Sequence, residues 1–133
     1  IASEIGIYEY DYRNNSLRIL TKDKYLDALY SNDDIISMRR NKVFKIKNNK
    51  REIIFSGDRV QSISECDNFI WINNIDKASI YSLNDNSLFE YSQDDGIIGD
   101  IIHDIGCDSE WVWFSTNKGL SIFNWSKYHY DKK

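Results

Sequence analysis

Two histidines and two cysteines are the side chains of this 133-residue chain best suited to catalysis or metal binding. His103 precedes Asp104, a combination that could supply a general base and its orienting acid. Neighbours on a strand point to opposite faces, however, and the spacings of a zinc site, His-x-x-His or paired cysteines, are absent. The sequence therefore predicts no catalytic residue, no metal site and no cofactor, and we expect His103 to line a core or a channel.

Acidic residues cluster in two short stretches, Asp94-Asp95-Gly96 and the segment from Asp104 to Asp108. Neither has the regular acidic spacing and closing glutamate of a calcium loop. Both are interpreted as turns. A glycine-rich phosphate loop and a nucleophile elbow are also absent from the sequence.

A repeated segment accounts for the positions of the cysteines. The run GCDSEWVWFSTNKGLSIFN (106–124) echoes ECDNFIWINNIDKASIYSL (65–83). Because Cys66 and Cys107 occupy equivalent places in successive units, we expect them one unit apart, beyond the Cα separation of about 7 Å that a disulfide tolerates. The prediction is two free, buried thiols that act as small apolar residues.

An alternating apolar strand recurs four times, beginning at residues 7, 43, 80 and 120. A period of 36 to 40 residues with only period-2 patterning is typical of a β-propeller, whose blades are built of four short strands. Three of the units carry Asn14-Asn15, Asn48-Asn49 or Asp85-Asn86 after this strand, and such residues tolerate the positive φ of a hairpin turn. We predict an all-β fold made of propeller blades of four antiparallel strands.

The repeats also set the blade boundaries. Residues 1–20 form the end of one blade, and whole blades occupy 21–56, 57–93 and 94–133, about three and a half blades in all. In the last blade we place strands at 98–105, 111–116, 119–124 and 128–131. Fourteen strands cannot close a ring, so we expect a fragment of a longer propeller that self-associates through its uncovered blade faces.

Composition limits the partners. No apolar run approaches the roughly 18 residues of a membrane span, so no membrane contact is expected within this segment. The net charge of −4 argues against nucleic acid, which normally selects a basic face.

Seven basic residues run against that overall charge. They fall within thirteen positions of the second unit: Arg39, Arg40, Lys42, Lys45, Lys47, Lys50 and Arg51. One interpretation is a set of solvated edge strands on which lysine blocks unwanted pairing. The other is a patch for an anionic ligand or partner, and the sequence does not tell whether these side chains converge.

The fourth unit carries a family motif in Trp113, Thr116, Gly119 and Leu120. It resembles the two-component regulator propeller repeat, in which apolar-Trp-apolar, a small residue, Thr, a turn and Gly-Leu lead into an alternating strand. The third unit keeps Trp71 but departs from the pattern at the small residue, Thr and Gly. The resemblance implies a seven-bladed propeller in the periplasmic sensor region of bacterial hybrid two-component histidine kinases, completed by further blades of the parent protein.

The resemblance implies a non-catalytic sensor segment that recognises an oligosaccharide or another small ligand. Two alternatives stay open. A propeller enzyme similar to the streptogramin lyases would have repeats rich in glycine and proline, whereas this chain has six glycines and no proline. A protein-interaction scaffold similar to WD-type propellers would carry Gly-His and Trp-Asp pairs, which are absent.

Loops between the second and third strands recur at one rim of the blades, and ligands of repeat proteins tend to contact one face. The candidate ligand-binding residues are Asn73, Asn74, Asp76, Lys77, Asn117 and Lys118. The motif residues Trp71, Trp113, Thr116, Gly119 and Leu120 are given structural roles. Both tryptophans are expected to pack between neighbouring sheets.

Overall fold

The computed structural model describes residues 2–3, 6–21, 27–31, 34–48 and 50–129. In this part of the chain, fourteen strands form four antiparallel sheets, and the other elements are one 3-10 helix and one short α-helix. The chain divides into two compact units, Ile1–Asp58 and Arg59–Lys133, and each contains two of the sheets.

The first unit holds the first and second sheets, and in both of them consecutive strands are neighbours. The first sheet consists of β1 (Ala2–Ser3), β2 (Gly6–Asp11) and β3 (Ser16–Thr21). The second consists of β4 (Asp27–Ser31), β5 (Asp34–Arg39), β6 (Lys42–Lys47) and β7 (Lys50–Ser56). Ile7 of β2 packs with Phe44 and Ile46 of β6 in a buried cluster.

The second unit holds the third and fourth sheets, again with consecutive strands side by side. The third sheet consists of β8 (Ser62–Cys66), β9 (Phe69–Asn73), β10 (Ala78–Ser82) and β11 (Leu88–Tyr91). The 3-10 helix, Gln93–Asp95, follows it. The fourth sheet consists of β12 (Ile102–Cys107), β13 (Val112–Thr116) and β14 (Gly119–Phe123), and α1 (Ser126–His129) follows β14.

The hairpins predicted after the recurring strand are present. Asn15, Asn48 and Asn86 have φ values of 51°, 50° and 59°. Asparagine adopts this left-handed region more readily than most residues, because its short side chain can bond the local backbone. The three turns therefore follow from residue type, as the sequence indicates.

The core of the second unit forms around Trp71, which is fully buried. Its ring meets Phe114 of the fourth sheet and Trp125 edge-on, with centroids 5.7 and 6.2 Å apart. The prediction that Trp71 packs between neighbouring sheets is confirmed. Trp113 is instead 38% exposed, because alternation along β13 turns it to the side of the fourth sheet away from the third. No described residue of another sheet covers it, so it does not pack between two sheets as predicted.

Cys66 and Cys107 form a disulfide with Cα atoms 6.1 Å apart, so the prediction of two free thiols is wrong. The cysteines are 41 residues apart, whereas the equivalent tryptophans Trp71 and Trp113 are 42 apart. A shift of one position along a strand turns a side chain to the opposite face. Cys66 therefore faces the fourth sheet, Cys107 faces the third, and the two sulfur atoms meet between them.

The strand predicted at 128–131 is also wrong where the structure describes it, because α1 occupies residues 126–129; residues 130 and 131 lie outside the described part. Trp125 turns the chain away from β14. Its indole is buried and donates to the Asp108 carbonyl oxygen at 3.0 Å. His129 then packs against Tyr91, with 2.5 Å between Nε2 and the tyrosine hydroxyl. Aromatic anchoring of α1 thus takes the place of a fourth strand.

Candidate functional site

The two predicted rim loops are hairpins at the same edge of neighbouring sheets. One joins β9 to β10 through residues 74–77, and the other joins β13 to β14 through Asn117 and Lys118. The segment 98–101, which precedes β12, runs between them. We refer to these three stretches together with Thr116 and Gly119 as the rim.

Asn73, the last residue of β9, ties the first hairpin to β12. Its side chain is fully buried, donates to the Ile102 carbonyl oxygen at 3.1 Å and accepts from the Ile75 backbone N–H at 3.0 Å. In return, the Ile102 N–H donates to the Ile75 carbonyl oxygen at 2.6 Å. Ile75 is held at φ 65°, an uncommon conformation for a β-branched residue. Asn73 therefore positions the loop, and we exclude it from the ligand-binding set.

Asn117 holds the segment before β12 against the second hairpin. Its side-chain oxygen accepts the backbone N–H groups of Asp100 and Ile101, both at 3.2 Å. Its Nδ2 donates to Asp100 Oδ1 at 2.6 Å. These bonds divert residues 100 and 101 from strand pairing, so β12 begins at Ile102 rather than at the predicted residue 98.

Gly99 is the residue that allows this close approach. Its φ is 89°, and an added Cβ would lie 2.7 Å from Asn117 Oδ1 and 2.8 Å from Thr116 Oγ1. Both the left-handed backbone and the lack of space require glycine here.

Three repeat residues, Thr116, Gly119 and Leu120, lie at the second hairpin. Thr116 ends β13, and its hydroxyl donates to the Gly119 carbonyl oxygen at 2.9 Å and accepts the Lys118 N–H at 3.2 Å. Gly119 has φ 137°, which fits the prediction of unusual turn dihedrals. Leu120 follows with 59% exposure, on the same face of the sheet as Trp113.

The rim carries charged side chains besides the exposed apolar side chains of Ile98 and Ile101. Asp76 is exposed, Lys118 lies 3.9 Å from Asp100, and Lys77 reaches Glu90 at 3.1 Å. The hydrogen bond from Asn117, followed by Asp100's own backbone N–H and the charge of Lys118, lowers the pKa of Asp100. This carboxyl is therefore ionised at neutral pH.

Two exposed rim residues are missing from the set of ligand-binding residues predicted from the sequence. Asp100 is exposed beside Lys118, and Ile101 is 41% exposed. Both were assigned to a strand, and the only local signal against that was Gly99. Asn74, by contrast, was predicted to bind a ligand, but its Oδ1 accepts the Arg59 N–H at 3.0 Å, so this amide has a structural role. Of the six predicted ligand residues, Asp76 and Lys118 expose their charged ends at the rim, whereas the ammonium of Lys77 is paired with Glu90 of β11.

The described residues contain no group of three or more His, Cys, Asp or Glu side chains placed to hold a metal ion. His103, expected in a core or channel, is exposed on β12. Among the described residues, no helix is long and apolar enough to cross a membrane.

No family model and no curated protein matches the chain. Solved structures do match. The N-terminal domain of Nup159 aligns with a TM-score of 0.64 at 11% identity, over 85% of this chain and 31% of that one. The same values hold for an S. cerevisiae complex in which dbp5 is bound to nup159.

A second kind of match is the extracellular domain of a putative one-component system from B. thetaiotaomicron. It aligns with a TM-score of 0.60 at 14% identity, over 90% of this chain and 17% of that one. The chain thus spans less than a third of either domain. At these identities the likeness establishes the fold alone, and it confirms the all-β architecture of propeller blades.

Proposed function

We propose that this chain is a non-catalytic ligand-recognition segment of an extracytoplasmic propeller sensor in a bacterial signal-transduction protein. The observation that carries the proposal is the rim, where two neighbouring blades present charged side chains on loops held by buried or bridging amides. The motif in the fourth unit, which resembles the two-component regulator repeat, favours a hybrid histidine kinase as the parent protein. The likeness to the extracellular domain of a putative one-component system supports a sensor.

The rim has the features of a binding surface on a rigid support. Asn73 and Asn117 fix the backbone of both hairpins relative to the segment before β12. Loops that are positioned by a rigid scaffold are where binding residues concentrate. Little ordering is then required when a ligand binds, which lowers the entropic cost of association.

The disulfide supports the extracytoplasmic part of the proposal. Disulfides persist in the periplasm and outside the cell, and they are rare in the reducing cytosol of mesophiles. The Cys66–Cys107 bond joins consecutive blades that pack closely through Trp71 and Phe114. A stable bond at this place fits a protein that folds in an oxidising compartment.

An oligosaccharide is the proposed ligand class. Sugars offer hydroxyl groups to carboxylates and ammonium groups, and apolar C–H faces to aliphatic side chains. The rim carries the charged residues Asp76, Asp100 and Lys118 and also Ile98 and Ile101, which are 48% and 41% exposed. This mixture of charge and apolar surface is what such a ligand requires.

The test is a panel of oligosaccharides screened by thermal shift against the 133-residue chain. We compare the wild type with Asp76→Ala/Lys118→Ala at the rim and with Asp58→Ala/Lys50→Ala, an exposed pair of the same charges in the first unit. At least one oligosaccharide should stabilise the wild type and the control but not the rim variant. No stabilisation by any oligosaccharide, or equal stabilisation of all three proteins, would overturn the proposal.

A further inference from the structure

The fold separates six of the seven basic residues between positions 39 and 51 into two groups. Lys45 and Lys47 reach Asp34, with distances of 3.6 and 3.8 Å from their Nζ atoms to its carboxylate oxygens. The other group surrounds a cleft of about 460 Å³. The described residues lining this cleft are Arg39, Arg40, Asn41, Lys42, Phe44, Arg51 and Ile53.

We propose that this cleft binds a small molecule carrying oxoanion groups, that is, phosphate, sulfate or carboxylate. Four of its seven described lining residues are cationic and none of the seven is acidic. Three of the four are arginines, whose planar guanidinium groups bond oxoanions through two parallel N–H groups. The volume lies within the usual range of small-ligand sites, about 300 to 1,000 Å³.

The backbone of the turn beside the cleft has an uncommon conformation at one residue. Arg40 lies at φ 55° in the turn between β5 and β6. Four of the six described non-glycine residues with positive φ are asparagine or aspartate, which suit this region; Arg40 and Ile75 are the exceptions. Strained positions of this kind cluster at functional sites.

Two cationic residues are paired across the strands beside this turn. Arg39 and Lys42 are direct cross-strand partners, and like charges in this arrangement repel. The turn is nevertheless fixed, because the Asn41 carbonyl oxygen accepts the Gly57 N–H at 2.9 Å. The fold thus gathers positive charge on a restrained hairpin instead of dispersing it.

Arg51 and Phe44 form the wall of the cleft. The guanidinium of Arg51 lies 5.2 Å from the centre of the Phe44 ring, and this stacking orients its N–H groups. The hairpin occupies the same place in its sheet, between second and third strands, as the two rim hairpins occupy in theirs. The inference does not depend on the sensor role, because it concerns only the first unit.

The probes are inorganic pyrophosphate and citrate, titrated by calorimetry into the full 133-residue chain at low and high salt. The cleft variant is Arg39→Gln/Arg40→Gln/Arg51→Gln. The control, Arg13→Gln/Arg59→Gln/Lys127→Gln, removes three exposed cations elsewhere, so both variants change the net charge from −4 to −7. Tighter binding of pyrophosphate would indicate a phosphate or sulfate ligand, and tighter binding of citrate a polycarboxylate.

We expect saturable, salt-sensitive binding of at least one probe, weakened about tenfold or more in the cleft variant and unchanged in the control. The single variant Arg40→Asn separates ligand binding from folding. It should weaken binding while leaving the melting temperature unchanged or higher, because asparagine tolerates φ 55° better than arginine. Absence of saturable binding, equal weakening in the control, or binding of a single-stranded oligonucleotide but of neither probe would overturn the proposal.

Discussion

The indole ring of Trp113 lies against Gly106, its direct partner on the neighbouring strand, so closely that a Cβ atom on Gly106 would overlap the ring. Glycine in a strand is usually a weakness, because it adds backbone freedom to the unfolded chain and no side chain to the sheet. Here it provides the space in which a large aromatic ring rests on its own sheet.

Gly106→Ala should therefore destabilise the protein, although alanine usually stabilises a strand relative to glycine. Moving the indole out of its place should lower the free energy of unfolding by about 1 to 3 kcal/mol. Chemical denaturation gives the change, and the indole N–H resonance of Trp113 reports the displacement. Ser115→Ala, an exposed position two residues along on the same face, is the control. A gain in stability for Gly106→Ala would contradict the contact.

Removing the disulfide by Cys66→Ser/Cys107→Ser should lower the free energy of unfolding by about 4 kcal/mol on the chain-entropy estimate for a loop of 41 residues. The comparison is denaturant unfolding with and without reductant. Reductant should reduce the stability of the wild type and leave the double variant unchanged. Two titratable thiols in the oxidised, folded wild type would show that the bond does not form.

Asn73→Ala should destabilise the chain much more than Asn117→Ala. The Asn73 amide is fully buried, and its loss leaves the Ile75 N–H and the Ile102 carbonyl oxygen short of a partner. We expect a loss of roughly 2 to 4 kcal/mol for Asn73→Ala. Asn117 is exposed, so water replaces its bonds and the loss should stay below about 1 kcal/mol. Equal losses in thermal denaturation would refute the distinction.

Alkaline pH should weaken the attachment of α1. Burial, and next the negative charge of Asp95, raises the pKa of Tyr91 from 10.0 to about 12. Since the folded pKa is the higher one, this contribution to stability is complete below pH 10 and is lost as the pH rises towards 12. Between those values the stability of the wild type should fall more steeply than that of Tyr91→Phe. Tyr12→Phe, at a tyrosine that is 74% exposed, should keep the wild-type slope.

Self-association through uncovered blade faces remains a prediction, and we test it on the outer face of the fourth sheet. Trp113, Leu120 and Ile122 are 38%, 59% and 56% exposed on that face, and large apolar patches favour association. Light scattering should show oligomers of the wild type that Trp113→Ser/Ile122→Ser reduces. Ile53→Ser/Leu88→Ser, at similarly exposed positions on β7 and β11, should not reduce them. A monodisperse wild-type monomer would contradict the prediction.

Local patterns in the sequence were sufficient for the repeating strands and their turns. Alternation placed the recurring strand in β2, β6, β10 and β14, and asparagine marked the left-handed turns at Asn15, Asn48 and Asn86. The burial of Trp71 was also predicted from its place in an apolar strand, whereas the same prediction failed for Trp113, which is 38% exposed. These features depend on residues close together in the chain, so their signal is present in a single sequence.

Features that depend on the alignment of separate strands were decided only by the tertiary structure. A shift of one residue in register relative to the repeat places Cys107 on the face of its sheet that meets Cys66. The side-chain amide of Asn117 binds the backbone of residues 100 and 101, which therefore do not pair as part of a strand. The convergence of Arg39, Arg40 and Arg51 on one cleft likewise required β5 and β7 to be placed on either side of β6. Alternation in the sequence predicts that neighbouring side chains lie on opposite faces of a strand. Long-range packing decides which neighbouring sheet each of those faces contacts.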